Sequence, residues 1–175
     1  TQMVPDADFP TVSFPNPEEH GVMDSVTDLA KASNADLALA NDPDGDRLAV
    51  AIPTLSGDWR LLSGDEIGAL LFNHVARITS GTNRKVVTTI VCSKLVSKIA
   101  SKHGVEHATT LTGFKWIIPA AYNDSSLQPI FCYEEALGYA TNTAVRDKDG
   151  ISAALMMAEL TAALKEQGQT LEDEL

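Results

Sequence analysis

Hydrophobic and polar positions along the chain fall into two alternating periods. Val22, Met23, Val26, Leu29 and Ala30 recur at helical spacing, and two short apolar runs of strand length follow, Asp36 to Ala40 and Leu48 to Ile52. The polar stretch from Pro53 to Arg60 reads as a turn. Ser63 with Glu66 predicts a capping box, and Ile67, Leu70, Leu71, Val75 and Ile78 continue it as an amphipathic helix. Lys85 to Cys92 is β-branched and predicts a strand. Ser93 is expected to cap a helix carrying Leu95, Val96 and Ile99, with Gly104 as its stop. A short strand near Val105 to Leu111, a short helix over Phe114 to Tyr122 and a strand over Pro129 to Tyr133 come next. A long helix from Gly150 to Gln167, ended by Gly168, completes the pattern.

Strands alternating with helices predict an α/β fold, a layered mixed β-sheet with flanking helices. One helix and two strands before Pro53 seldom cover both faces of a buried sheet, so the first part reads as the remnant of a domain. The expected division is therefore residues 1–55 and residues 56–175. The opening from Pro5 to Pro17 is proline-rich and predicts an extended loop. No internal repeat or low-complexity segment interrupts the chain.

Composition narrows the partners. With 44% hydrophobic and 21% charged residues, the 175-residue chain is an ordinary globular one, long enough to bury a core. A net charge of −11 argues against nucleic acid, which is bound through clustered Lys and Arg, and requires local positive features to receive any anionic substrate. No apolar stretch approaches a membrane span, and no basic segment followed by a hydrophobic one opens the chain, so a cytoplasmic protein is expected. Cys92 and Cys132 lie in β-like runs outside any Cys-x-x-Cys pattern and read as small buried hydrophobes.

The strongest chemical signal is Asn41-Asp-Pro-Asp-Gly-Asp-Arg47, directly after Leu37-Ala38-Leu39-Ala40. Asp42, Asp44 and Asp46 alternate in a tight loop, where they can turn toward one centre as oxygen ligands for a hard divalent cation such as Mg²⁺ or Ca²⁺. Without an ion, three close carboxylates repel one another. The plainer reading is a solvated acidic turn, since Asp, Pro and Gly suit turns for backbone reasons. An EF-hand is excluded: it needs Gly sixth and Glu twelfth between helices, where this chain has Arg47, Pro53 and strand-like flanks.

Three later clusters lie in connections, where function tends to be carried. Thr112-Gly113-Phe114-Lys115-Trp116 opens a helix with a glycine that lets phosphate or sugar approach the backbone; its plainer reading is a surface Lys beside a core Trp. Tyr133-Glu134-Glu135-Ala136-Leu137-Gly138 ends a buried strand with two adjacent carboxylates able to accept sugar hydroxyls or manage protons. Neighbours on a strand face opposite ways, so one of the pair at most points into a site. Arg146-Asp147-Lys148-Asp149-Gly150 enters the long helix, with Lys148 placed to receive a phosphate at the helix N-terminus and Asp149 as N-cap.

In this order the four motifs resemble the α-D-phosphohexomutase superfamily, which includes phosphoglucomutase and phosphomannomutase. The resemblance covers nearly the whole chain and implies the end of that family's second domain, with its metal loop, followed by the third, sugar-recognition domain. It implies a fragment of a four-domain, Mg²⁺-dependent intramolecular phosphotransferase of carbohydrate metabolism. Such an enzyme moves a phosphoryl group between the 1- and 6-positions of a hexose phosphate through a phosphoserine and a bisphosphorylated sugar. Its partners would be the sugar phosphate substrate and the remaining domains of the same enzyme. On this reading Asp42, Asp44 and Asp46 hold Mg²⁺, Arg47 and Lys148 are catalytic, and Gly113, Phe114, Lys115, Glu134 and Ala136 surround substrate.

The chain departs from much of the family at Pro43, where Gly is common, and at Ala136, where Ser is common. Loss of that hydroxyl removes a hydrogen bond worth about 0.5 to 1.5 kcal/mol. The Glu-Glu-Ala-Leu-Gly-Tyr run looks more like the phosphopentomutase and glucose-1,6-bisphosphate synthase branch, so glucose, mannose and ribose phosphates all stay open. No Ser-His-Asn-Pro-type loop supplies the phosphoserine. Ser80-Gly81-Thr82 follows a helix C-terminus, where the dipole disfavours anions, and is set aside as a terminal phosphate loop. The fragment alone is expected to be inactive. Two rival readings are a haloacid-dehalogenase-like phosphatase, which shares Asp-x-Asp but not the later motifs, and a non-enzymatic cation-binding module.

Overall fold

The structure is a computed structural model describing residues 4, 6–54 and 56–175; Pro5 of the opening and residue 55, at the expected division, lie outside the described residues. From Asp6 to Pro17 the chain runs through successive turns and not as an extended loop, with the Phe9 N–H bonded to the Asp6 carbonyl at 3.1 Å. Helix α1 (Asp24–Ala32) leads into strand β1 (Ala38–Ala40), which pairs antiparallel with β2 (Ala49–Pro53) and sets Leu39 opposite Val50. Strand β3 (Trp59–Leu61) then pairs antiparallel with β2, giving the order β1-β2-β3. Two strands were expected here. The third lies in the polar stretch read as turn, and three residues are too few to display a period of two.

Helix α2 (Gly64–Ile78) begins at the expected capping box: the Glu66 N–H donates to Ser63 Oγ and the Ser63 N–H to the Glu66 carboxylate. There follow β4 (Arg84–Thr89), α3 (Leu95–His103), β5 (Glu106–Thr110), α4 (Phe114–Ala121), β6 (Gln128–Glu134), β7 (Gly138–Ala140), α5 (Gly150–Glu166) and α6 (Leu171–Glu174). The second sheet has the order β5-β4-β6-β7, parallel except for β7 against β6. This is the layered α/β arrangement with a mixed sheet and flanking helices.

Two local expectations need correction, and two short elements were not foreseen. Strand β4 stops at Thr89, so Cys92 sits in the following turn, not in a strand, while Ile90 and Val91 are exposed. Lys94 is the N-cap of α3, although the Leu95 N–H still donates to Ser93 Oγ at 3.2 Å. The short elements β7 and α6 carry too few residues to announce themselves.

Alternation along β4 and β6 decides which face each side chain covers. Val86, Phe131 and Tyr133 join the main core with Leu48, Val50, Ile52, Leu71, Met157 and Leu160. Val87 and Cys132 face the other way, onto Phe114, Ile117 and Ala121. The main core thus runs from β2 through α2 and β6 to α5, and α4 covers the opposite face of the second sheet. No helix among the described residues is long and apolar enough to cross a membrane.

Candidate active site at the acidic loop

The acidic loop joins β1 to β2 and is folded by its own backbone. Gly45 takes φ +74°, a conformation that side-chain-bearing residues rarely adopt, and its N–H bonds back to the Asp42 carbonyl at 3.0 Å. The Arg47 N–H donates to Asp42 Oδ1 at 3.0 Å. These turns bring one carboxylate oxygen each from Asp42, Asp44 and Asp46 to within 4.8 Å of one another. Burial raises the Asp42 carboxyl above its ordinary range, and the charges of Asp46 and Asp44 add to the rise. A group of three carboxylate oxygen donors fits a hard divalent cation. Arg47 neutralises part of that charge, its guanidinium standing 3.8 Å from Asp42, 4.0 Å from Asp46 and 3.9 Å from Glu18.

The turn after β6 lies against this loop. The Leu48 N–H donates to the Leu137 carbonyl at 3.1 Å, and Arg47 bridges Gly138 in antiparallel fashion. The two adjacent glutamates part as strand neighbours should. Glu135 turns toward β4 and accepts from Thr89 Oγ1 at 3.0 Å. Glu134, 6% exposed, faces Lys148 and Arg47 and lies near the Gly113 N–H. Burial raises its carboxyl above the usual carboxylate range; Glu135 adds to the rise, while Lys148, Arg47 and the Gly113 N–H oppose it. Ala136 sits half-buried in the turn between β6 and β7.

The third component arrives from the start of α5. Asp149 caps that helix through a bond from the Ile151 N–H to its Oδ1 at 3.2 Å, while the Asp149 N–H ties back to the Tyr139 carbonyl at 2.8 Å. The Lys148 ammonium is thereby held 2.7 Å from Asp46 Oδ2 and 5.8 Å from the centroid of the Phe114 ring. Burial alone would lower the Lys148 pKa, but Asp46, then Asp147 and Glu134, outweigh it and raise it above the ordinary lysine value.

Asp42, Asp44, Asp46, Arg47, Lys148, Glu134, Gly113 and Phe114 therefore converge on one locus. Lys115 is exposed, its ammonium 5.8 Å from the centroid of the Trp116 ring, and Trp116 is 47% exposed instead of packed in the core. Ser80 to Thr82 form the connection from α2 to β4. Sequence reasoning missed three contributors. The Asn41 side chain donates to the Arg47 carbonyl at 2.6 Å across the acidic loop. Gly138 and Gly150 let the three segments approach, since a Cβ on Gly150 would lie 2.2 Å from the Arg47 carbonyl oxygen. A polar residue directly before the triad and a glycine in each later motif were the available signals.

Residues 63–175 match the family model described as phosphoglucomutase/phosphomannomutase, alpha/beta/alpha domain III, and residues 1–57 match the corresponding domain II. The chain is 45% identical over 98% of its length to a protein of Haemophilus influenzae named probable phosphomannomutase, covering 34% of that protein. It is 42% identical over 99% of its length to human phosphopentomutase, covering 30% of it. The chain thus spans about a third of the length of these curated relatives. Among solved structures, N-acetylphosphoglucosamine mutase of Aspergillus fumigatus, in complex with GlcNAc-6P and magnesium, shares the fold at a TM-score of 0.57 and 18% identity, over 83% of this chain and 38% of that one.

Proposed function

Because the chain belongs to the phosphoglucomutase/phosphomannomutase family, we propose that it forms the cation-binding and sugar-recognition part of a larger phosphomutase of the cytoplasm. Residues 1–55 would be the end of the second domain and residues 56–175 the third, a division supported by separate family matches at residues 1–57 and 63–175. The reaction would move a phosphoryl group between two hydroxyls of a sugar phosphate, the 1- and 6-positions of a hexose, by way of a phosphoserine elsewhere in the protein and a bisphosphorylated sugar.

The observation that carries this reading is the 2.7 Å contact between Lys148 and Asp46, which joins the acidic loop to the start of α5 beside Glu134. Asp42, Asp44 and Asp46 would hold Mg²⁺, whose charge would offset that of the transferring phosphoryl oxygens. Lys148, kept as an ammonium by Asp46, would meet a substrate phosphate or handle a proton. Arg47 stands beside the carboxylates to meet the same negative charge. Glu134, buried beside Lys148 and the Gly113 N–H, would accept a hydrogen bond from a sugar hydroxyl, with Phe114, Lys115 and Ala136 around it.

Ala136 favours a second substrate preference within the same family. It offers no hydroxyl to a sugar, and together with the likeness to human phosphopentomutase it supports a pentose phosphate or glucose 1,6-bisphosphate chemistry as the alternative. The haloacid-dehalogenase reading is withdrawn, because the family matches account for the acidic loop and the later motifs together.

The test is an NMR amide titration of this chain with Mg²⁺ and then with glucose, mannose and ribose 1-phosphates, with Asp44→Asn as control. Shifts at Asp42 to Arg47 with Mg²⁺, followed by sugar-phosphate shifts at Gly113 to Trp116 and Glu134 to Gly138, are expected. A Mg²⁺ response with no sugar-phosphate response at any concentration would favour a plain cation module. The isolated chain is expected to lack mutase turnover, and measurable turnover by the purified chain would refute that.

A further inference from the structure

The acidic loop does not hold its shape by its own turns alone. Its two ends are tied across the carboxylates by the Asn41 side chain, which donates to the Arg47 carbonyl at 2.6 Å. The same carbonyl is pressed from outside by Gly150: a Cβ there would fall 2.2 Å from the Arg47 oxygen and 2.5 Å from Asn41 Nδ2. The Gly150 N–H also donates to the Gly45 carbonyl at 3.1 Å. Asn41 and Gly150 therefore close a clasp in which the first turn of α5 seats the loop and the carboxamide fixes the distance between its ends.

We propose that Asn41 is a positioning residue for the divalent cation, acting through the Arg47 carbonyl to hold Asp42, Asp44 and Asp46 at ligating spacing, with Gly150 as the surface the clasp closes on. This rests on the cation reading of the loop. The bond to Arg47 engages the carboxamide nitrogen, which is not a metal ligand, so this contribution of Asn41 is structural. What it supplies is order. Three carboxylates that repel one another spread unless the backbone between them is held, and groups that orient metal ligands govern affinity nearly as strongly as the ligands.

Asn41→Asp separates this role from simple electrostatics. It keeps the shape, removes the donor and adds a fourth carboxylate. If charge alone drew the cation, this variant would bind it more tightly; if the clasp matters, binding weakens because a carboxylate repels the Arg47 carbonyl oxygen.

The experiment measures Mg²⁺ affinity by NMR titration and the number of waters on bound Mn²⁺ by water-proton relaxation, in the unmodified chain, Asn41→Asp, Asn41→Ala and Gly150→Ala. Thermal melts without metal run alongside. The expected result is a loss of roughly ten- to a hundredfold in affinity for both Asn41 variants, with extra water on Mn²⁺, while metal-free melting shifts little. Gly150→Ala should weaken binding in the same direction. Affinity and water count unchanged in Asn41→Ala, or tighter binding in Asn41→Asp, would overturn the clasp. Absence of any Mg²⁺ response in the unmodified chain would overturn the cation reading itself, and the clasp proposal with it.

Discussion

Gly138 lies so close beneath Lys148 that a Cβ there would come within 2.8 Å of the lysine Cδ and 3.0 Å of Glu134 Cγ. The glycine is what allows a cation from the start of α5 and a buried carboxylate from the end of β6 to share one locus. Gly138→Ala should displace Lys148 from Asp46 while leaving the fold intact, because a lysine stem can swing aside. The expected cost in urea unfolding is about 1 kcal/mol. Lys148 side-chain NMR signals should lose their Asp46-dependent shift. A variant that keeps that shift would contradict the packing argument.

On the proposed cation reading, Lys148 and a divalent cation would compete for Asp46. The ammonium sits 2.7 Å from the carboxylate in a pair only partly shielded, with side chains 19% and 29% exposed. Lys148→Met removes the competitor, so Mg²⁺ should bind about two- to fivefold more tightly, corresponding to the ~0.4 to 1 kcal/mol of a partly exposed ion pair. If the whole protein is the proposed phosphomutase, the same change there should abolish turnover. Calorimetric titration of the variant decides it: weaker Mg²⁺ binding would mean that Lys148 supports the loop instead of contending for it.

The contrast between what the chain announced and what it concealed follows the range of the interactions. The acidic triad was legible because its three carboxylates fall within one short loop, and the capping box because Ser63 and Glu66 are three positions apart. The meeting of Lys148 with Asp46 joins segments from opposite ends of the chain, and without the family resemblance no local pattern points to it. Arg84 illustrates the same limit in the core. It is 8% exposed and donates to the carbonyls of Ala76, Thr79 and His103, pinning the ends of α2 and α3 to β4, yet in sequence it is one more charged residue at a strand start. Trp116 errs the other way: its helix has an apolar face, but which face that is was set by β4 and β6.

Glu66 gives the start of α2 a dependence on acid. Burial alone would raise its carboxyl, but the Ser63 N–H at 2.8 Å and the Arg60 guanidinium at 2.7 Å outweigh it and hold it below the ordinary 4.5. A carboxylate with a lower pKa in the folded state adds stability above its unfolded value, and that contribution drains as pH falls through the folded value. Glu66→Gln keeps the capping geometry without the charge. It should cost about 0.5 kcal/mol near neutral pH, and the difference from the parent should vanish as pH falls below 4.5. Melting curves from pH 7 to pH 3 test this; a gap that stays constant would remove the charge from the explanation.

Gly68 sets two rules against each other. It lies inside α2, where replacing glycine by alanine ordinarily gains about 1 kcal/mol from helix propensity. Here a Cβ would stand 2.6 Å from two carbons of the Tyr133 ring. That ring cannot yield easily: it lies between Phe131 at 6.1 Å and Tyr139 at 6.3 Å, and its hydroxyl donates to Asp65 Oδ1 at 2.8 Å. Overpacking of a fixed core costs about 1 to 3 kcal/mol, so the clash should win and Gly68→Ala should lower the melting temperature. Tyr133→Leu in the same background should restore part of the loss by vacating the ring, although the single Tyr133→Leu change is itself destabilising. If Gly68→Ala raises the melting temperature, α2 does not rest on the β6 aromatics as closely as the helix and ring positions require.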